Sequence, residues 1–222
     1  MDYINNMKVE KLNAYSVSSL EALFTLYDLS EDIVTRHIPG DIVECGVRDG
    51  GSAAVLSLPV AKSDRQLWLY DSFQGLPMPT FQDTPEAYAY AGKAIGSKKR
   101  VMEALAIAEF PVERVVIREG WFKDSFEDVL PKRVALLHVD CDWYESVLNT
   151  LFTFYPLVHQ GGIIVIDDFG HWEGARRAFY DFVHQIAERP LVERFGHSRL
   201  YWVKGKQHNR EQLGGPPLCK PA

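Results

Sequence analysis

A chain of 222 residues, 46% hydrophobic and 24% charged, is long enough to bury the core of one α/β domain and short for two. Its formal net charge of -6, with basic residues dispersed except at Lys98-Lys99-Arg100, argues against a phosphate-backbone binder, so no nucleic acid partner is expected. No apolar run reaches the length of a membrane span and the N-terminus lacks a basic start followed by an apolar stretch, so the expectation is a cytoplasmic protein with no membrane partner.

From Ser16 to Arg36 apolar residues recur at helical spacing (Val17, Leu20, Leu23, Phe24, Tyr27, Ile33, Val34), which predicts one or two helices. They would pack against the sheet or cover the site as a lid, and their apolar residues could also serve a homodimer. Pro39-Gly40 is a turn signal, and Asp41 to Glu44 then reads as a short buried strand. The glycine-rich segment Gly46 to Ser52 leads into a helix from Ser52 to Ala61. A strand, a glycine turn and a helix cradle nucleotide-like ligands, but the dinucleotide fingerprint G-x-G-x-x-G is absent. Glu44, two positions before Gly46, suits a cationic amino-acid group better than a pyrophosphate. The next strand, Gln66 to Tyr70, ends in Asp71-Ser72, where a carboxylate can accept hydrogen bonds from both hydroxyls of a ribose.

Gln74 to Gly92 carries three prolines and several aromatics without a period. It reads as a mobile excursion that either covers the crevice or is a surface insertion with a short helix. Helical spacing resumes from Lys98 to Phe110, and Glu113 to Arg118 forms a third strand. After it, in Glu119-Gly120-Trp121-Phe122, the glycine permits a turn while either aromatic covers a flat heterocycle or packs in the core. A short helix is predicted over Asp124 to Leu130, halted by Pro131.

Arg133 to Asp140 and Ile163 to Ile166 are two near-continuous apolar strands, joined by an amphipathic helix from Tyr144 to Val158 and a turn at Gly161-Gly162. That is a βαβ unit of a parallel sheet buried on both faces. Side chains just past the carboxyl ends of such strands line the ligand crevice, so Asp140, Asp142, Asp167 and Asp168 should converge. Four carboxylates in one crevice repel each other unless a cation or proton intervenes, and a divalent metal is the simplest such charge. His171, in the loop after Asp168, is placed to act as a base or substrate contact, or to do neither. A helix follows from Ala175 to Glu188, then a hairpin of strands Leu191 to Phe195 and Leu200 to Lys204. The three cysteines, Cys45, Cys141 and Cys219, form no CxxC pair. Cys141 reads either as a nucleophile or as a small residue tolerated in a tight turn. The domain reading is a helical segment over 1–40 that could act as a lid, a catalytic domain over 41–206 and a flexible tail over 207–222.

With Glu44-Cys-Gly46-Val, Asp71-Ser-Phe-Gln-Gly-Leu-Pro77, Glu119-Gly-Trp-Phe122, Val139-Asp140-Cys-Asp142-Trp-Tyr144-Glu-Ser and Ile166-Asp167-Asp168-Phe in this order, the chain resembles the macrocin O-methyltransferase family. These enzymes use S-adenosylmethionine to methylate sugar hydroxyls of natural products. The resemblance implies a Rossmann-like class I methyltransferase sheet of order 3-2-1-4-5-7-6, with the last hairpin antiparallel. It implies that Glu44 and Gly46 border the methionine part of the cofactor, Asp71 and Ser72 the ribose, and Gly120 and Trp121 the adenine. Asp140, Asp167 and Asp168 match the family's magnesium ligands, with Asp140 also beside the cofactor, and Asp142 matches its general base. Cys141 departs from the family pattern, which has glycine there. The implied partner is a small-molecule glycoside or sugar. A catechol-type methyltransferase, a nicotinamide-dependent oxidoreductase and a non-catalytic binding module are the rival readings.

Overall fold

The computed structural model describes residues 2–186 and 188–206. The segment expected to be a flexible tail, 207–222, lies outside them. Seven strands form one sheet: β1 (Asp41–Cys45), β2 (Leu67–Asp71), β3 (Val115–Glu119), β4 (Val134–Val139), β5 (Val158–Ile166), β6 (Glu193–Phe195) and β7 (Arg199–Val203). Their spatial order is β3-β2-β1-β4-β5-β7-β6. The first five are parallel, and β7 runs antiparallel to both β5 and β6. This is the order expected from the resemblance.

Among the described residues seven α-helices accompany the sheet: α1 (Tyr3–Leu12), α2 (Leu20–Thr35), α3 (Gly51–Ser57), α4 (Lys98–Ala108), α5 (Phe122–Ser125), α6 (Tyr144–Phe154) and α7 (Glu173–Gln185). The central strands are apolar at nearly every position because each sheet face has its own helical cover. Ile42, Leu67, Leu69, Leu136, Ile163 and Val165 pack with α1 to α4, and Val43, Tyr70, Leu137, Ile164 and Trp202 pack with α6 and α7. The alternation carries Glu44 and His138 onto the first face, where they are register partners on β1 and β4. The N-terminal helices belong to that core: Leu23, Leu26 and Ile33 are fully buried, and the Ser30 hydroxyl donates to the Leu56 carbonyl at 2.6 Å.

Three local expectations change. Helix α1 lies in the segment expected to be helical, but periodicity did not locate it, because only Val9 and Leu12 of its ten residues are buried and no apolar stripe forms; a cap starts it, with Asp2 Oδ1 accepting from Asn5 N at 2.8 Å. The short helix predicted at Asp124 to Leu130 lies earlier, at Phe122–Ser125, where Phe122 and Phe126, one turn apart, stack at 4.7 Å. Helix α6 stops at Phe154 and β5 begins at Val158, so Gly161-Gly162 lies inside a strand rather than before one. The β4–β5 register jumps from Val134↔Val158 to Leu136↔Ile163, and Gly161, at φ 84°, absorbs the excess chain. No helix among the described residues is long and apolar enough to cross a membrane.

Since α2 is part of the core, Leu26→Ala should cost about 3 kcal/mol. Denaturant unfolding followed by both circular dichroism and tryptophan fluorescence should still show one coincident transition. A separate early transition in the variant would show the N-terminal helices to be an independent unit.

Candidate active site

The carboxyl ends of β1 to β5 open into a cavity of about 600 Å³. Its wall includes Gly46, Asp71, Ser72, Gly120, Trp121, Asp140, Asp142, Asp167 and Asp168. The sequence motifs, scattered over more than 120 positions, meet here because a parallel sheet points every strand's carboxyl end the same way. Two residues singled out from the sequence do not line it. Glu44 is fully buried beneath the wall, and His171 is exposed, with its ring edge-on to Trp172 at 4.7 Å.

Gly46 permits the tight turn after β1. It adopts φ 89°, and a Cβ there would lie 1.6 Å from the Asp140 carbonyl oxygen, so no side chain fits. The loop that follows is held from β2. Asp71 Oδ2 accepts from Val47 N at 2.7 Å and Arg48 N at 2.8 Å, and its Oδ1 accepts from Phe73 N at 2.6 Å. These bonds fix the glycine loop and use three of the roughly four acceptor positions of a carboxylate. Ser72 Oγ accepts from Gln74 N at 3.1 Å, closing the next turn. Trp121 lines the cavity; Phe122 lines it too while stacking on Phe126.

The Gln74 to Gly92 loop is fastened rather than free. Its neck is closed by Leu76 N donating to Lys93 O and Gly92 N to Leu76 O, both at 2.8 Å. Trp143 Nε1 donates to the Pro77 carbonyl at 2.9 Å, and Asp83 Oδ1 accepts from Tyr144 N at 2.9 Å. Asp83 thereby supplies from a distant loop the cap that Trp143, at the N-cap of α6, makes no side-chain bond to provide.

Asp142 sits in this junction in the left-handed region at φ 58°, which aspartate tolerates better than most residues. Trp172 Nε1 donates to its Oδ1 at 2.9 Å. Burial raises its pKa to about 6, against the Trp172 hydrogen bond, which favours the charged form. Cys141, beside it, is buried and its thiol is pushed well above the usual range by that burial. The bonding suits a small packed residue rather than a nucleophile.

Asp140, Asp167 and Asp168 each offer an oxygen within 4.8 Å of the other two. Burial, reinforced by the Asp167 charge, drives Asp140 well above the usual carboxylate range; burial and the Asp142 charge do the same to Asp168. Asp167 moves the other way. Burial would raise it, but His138 and Arg199 outweigh that and hold it low. Arg199 pairs with both Asp167 oxygens, through Nε to Oδ1 and through Nη2 to Oδ2 at 2.9 Å. His138 is fully buried, with Nδ1 donating to Glu44 Oε1 at 2.7 Å and Nε2 facing Asp167 Oδ1 at 3.7 Å. Burial opposes its protonation, but the Asp167 and Glu44 carboxylates prevail and raise it to about 10. Glu44 Oε2 has no hydrogen-bond partner. Three converging carboxylates with a deficit of positive charge make an all-oxygen donor set suited to a hard divalent cation.

Sequence reading passed over His138 and Arg199. The histidine had a signal, as the one ionisable residue within the apolar run Val134–Val139. Arg199 had none, since a basic residue in a hairpin is ordinarily solvated.

A seven-stranded sheet of this order with an acidic cluster past β4 and β5 defines a class I O-methyltransferase fold. Residues 10–204 match the Macrocin-O-methyltransferase (TylF) family, and the chain belongs to it. It is 34% identical over 172 residues to demethyldecarbamoylnovobiocin O-methyltransferase of Streptomyces niveus, covering 71% of this chain and 63% of that protein. It is 30% identical over 200 residues to mycinamicin III 3''-O-methyltransferase of Micromonospora griseorubida, covering 85% and 78%. The solved structure of the O-methyltransferase NovP superposes with a TM-score of 0.76 at 24% identity, covering 86% of this chain and 83% of that one. The calicheamicin methyltransferase CalS11 gives 0.68 at 18%, covering 91% and 92%.

Because the folded-state pKa of Asp168 is raised, its contribution to stability is complete below its unfolded pKa and is lost as pH rises through the folded value. At neutral pH without divalent cation, Asp168→Asn should therefore melt higher than the wild type, and the gap should close as pH falls and Asp168 is protonated. Thermal melts across pH check this; an equal or lower melting temperature at neutral pH would contradict it.

Proposed function

We propose that the protein is an S-adenosylmethionine-dependent O-methyltransferase acting on a sugar hydroxyl of a natural product or glycan precursor, with divalent cation assistance from magnesium. The observation that carries this reading is the single cavity that joins Gly46, Asp71, Ser72, Gly120 and Trp121 to Asp140, Asp142, Asp167 and Asp168. The chemistry the two groups supply when bound is a methyl already activated by a sulfonium charge and a Lewis acid that makes a neighbouring hydroxyl more acidic.

The chain's own residues do the rest. Asp71 and the loop it fixes frame the ribose, Trp121 covers the heterocycle, and Gly46 borders the methionine part. Asp140, Asp167 and Asp168 hold the cation. Asp142 takes the hydroxyl proton at Oδ2, since Trp172 occupies Oδ1. We assign that role to Asp142 over His171, which is exposed and outside the lining. The fastened loop, with Trp143 and Trp172, limits water at the reacting atoms, and holding acceptor and donor together supplies much of the rate. Two apolar side chains at the cavity mouth, Val17 and Met78, are 81% and 67% exposed, which suits a sugar carried on an apolar scaffold. Relatives are named as 3''-O-methyltransferase of mycinamicin III and as 4'-O-methyltransferase of a rhamnosyl tetracenomycin C. We read residues 41–206 as the catalytic domain and 1–40 as a segment that completes its core and one rim. Exposed Tyr3 and Ile4 on α1 are available to a homodimer.

Calorimetric titration with S-adenosylhomocysteine, with magnesium and after chelation, tests the cofactor half; no saturable binding in either condition would end the reading. Labelled methyl transfer to a panel of glycosides and catechols then tests the acceptor, with turnover expected on glycosides. Asp142→Asn should keep cofactor and cation affinity while lowering kcat by at least about a hundredfold. Near-normal turnover in that variant would remove Asp142 from the role.

A further inference from the structure

Four adjacent strands carry a buried row of alternating charge across the sheet face covered by α1 to α4. Glu44 on β1 is the register partner of His138 on β4, whose Nε2 faces Asp167 at the end of β5. Arg199 on β7, one residue beyond the Ile166↔Leu200 pair, closes the row on the far side of Asp167. The row does not stop there. Arg199 Nη2, which donates to Asp167 Oδ2, also donates to Ser18 Oγ at 2.8 Å. Ser18 lies between α1 and α2, next to Val17 at the cavity mouth and Ser19, which caps α2 through Ala22 N at 3.2 Å.

We propose that Arg199 is a positioning residue that presents Asp167 to the cation and, through Ser18, couples cation binding to the packing of residues 16–19 at the cavity mouth. The proposal rests on the cation reading given above. A guanidinium is planar and always charged, and its paired nitrogens fix the plane of a carboxylate in a way an ammonium cannot. Arg199 holds both oxygens from one side and His138 Nε2 faces Oδ1 from the other, so Oδ2 keeps a further acceptor position, and an Asp167 oxygen is among those converging with Asp140 and Asp168. Unheld, Asp167 would be repelled by those two carboxylates. The same guanidinium nitrogen serves Ser18, so whatever fixes Asp167 also fixes Arg199 and the serine. Linkage then requires that ordering of the segment strengthens cation binding by the same factor as the cation strengthens the ordering.

Arg199 also carries positive charge, which opposes a cation. Arg199→Lys retains that charge while removing the fork, so the comparison isolates orientation from charge. Magnesium and manganese are titrated calorimetrically into wild type, Arg199→Lys and Ser18→Ala without substrate, with melting curves taken alongside. Hydrogen exchange of residues 13–20 is read with and without cation. Arg199→Lys should weaken the cation about tenfold. Ser18→Ala should weaken it about fivefold and abolish the cation-dependent slowing of exchange over 13–20 that the wild type shows. Wild-type affinity in both variants, or wild-type exchange over 13–20 indifferent to cation, would overturn the proposal while leaving the cation reading intact. Absence of binding to the wild type would remove both. If Arg199→Lys does not fold, Ser18→Ala, which leaves the ion pair in place, decides.

Discussion

Four carboxylates past the ends of β4 and β5 share one desolvated crevice, and the arrangement around them is a response to that repulsion. Desolvation and mutual charge make such a cluster costly unless opposite charge is supplied. The chain supplies it unevenly. Asp167 faces His138 on one side and Arg199 on the other, and is held in its charged form. Asp140 feels His138 and Asp168 feels Arg199 only at longer range, and both are pushed toward the neutral form. An acidic site compensated at one of three positions retains a demand for positive charge, and that demand defines what the cavity can bind.

The second constraint is placement of Asp142. Its backbone enters the left-handed region immediately before α6, and no local side chain caps that helix. The junction is secured from elsewhere: Asp83 reaches Tyr144 N, Pro77 takes the Trp143 indole, and Trp172 holds the Asp142 carboxylate. Trp143 and Trp172 meet edge to face at 4.9 Å, and Tyr90 meets Trp172 at 5.2 Å, so three chain segments share one aromatic joint. An irregular, proline-rich segment becomes ordered because its polar and aromatic groups find partners on two βα loops.

Fold and family do not by themselves choose an acceptor. The polar half of the cavity is built on strand ends. The mouth is built from Val17 and Met78 on connecting segments, where variation costs the core little.

How much could be read in advance depended on the range of the interactions. The strands, their parallel arrangement and the acidic motifs were legible, because buried apolar runs, turn glycines and carboxylates at strand ends are local patterns with one physical cause each. The sheet order came from the resemblance of ordered motifs to a family, not from periodicity. What failed or stayed open depended on contacts that periodicity does not encode. Helix α1 rests on a cap and a few buried residues, α5 on the stacking of Phe122 with Phe126, and the start of β5 on a register jump that no window around Gly161 reveals. In the site, the sequence determined which carboxylates would stand past β4 and β5. Only the tertiary structure decided that Asp167 would be held toward its charged form while Asp140 and Asp168 are pushed the other way, that Glu44 would lie beneath the wall, and that His171 would face outward. The reason is that charge state and exposure are set by neighbours across the sheet, His138 at 29 positions and Arg199 at 32 from Asp167, and a side chain's sequence context carries no record of them.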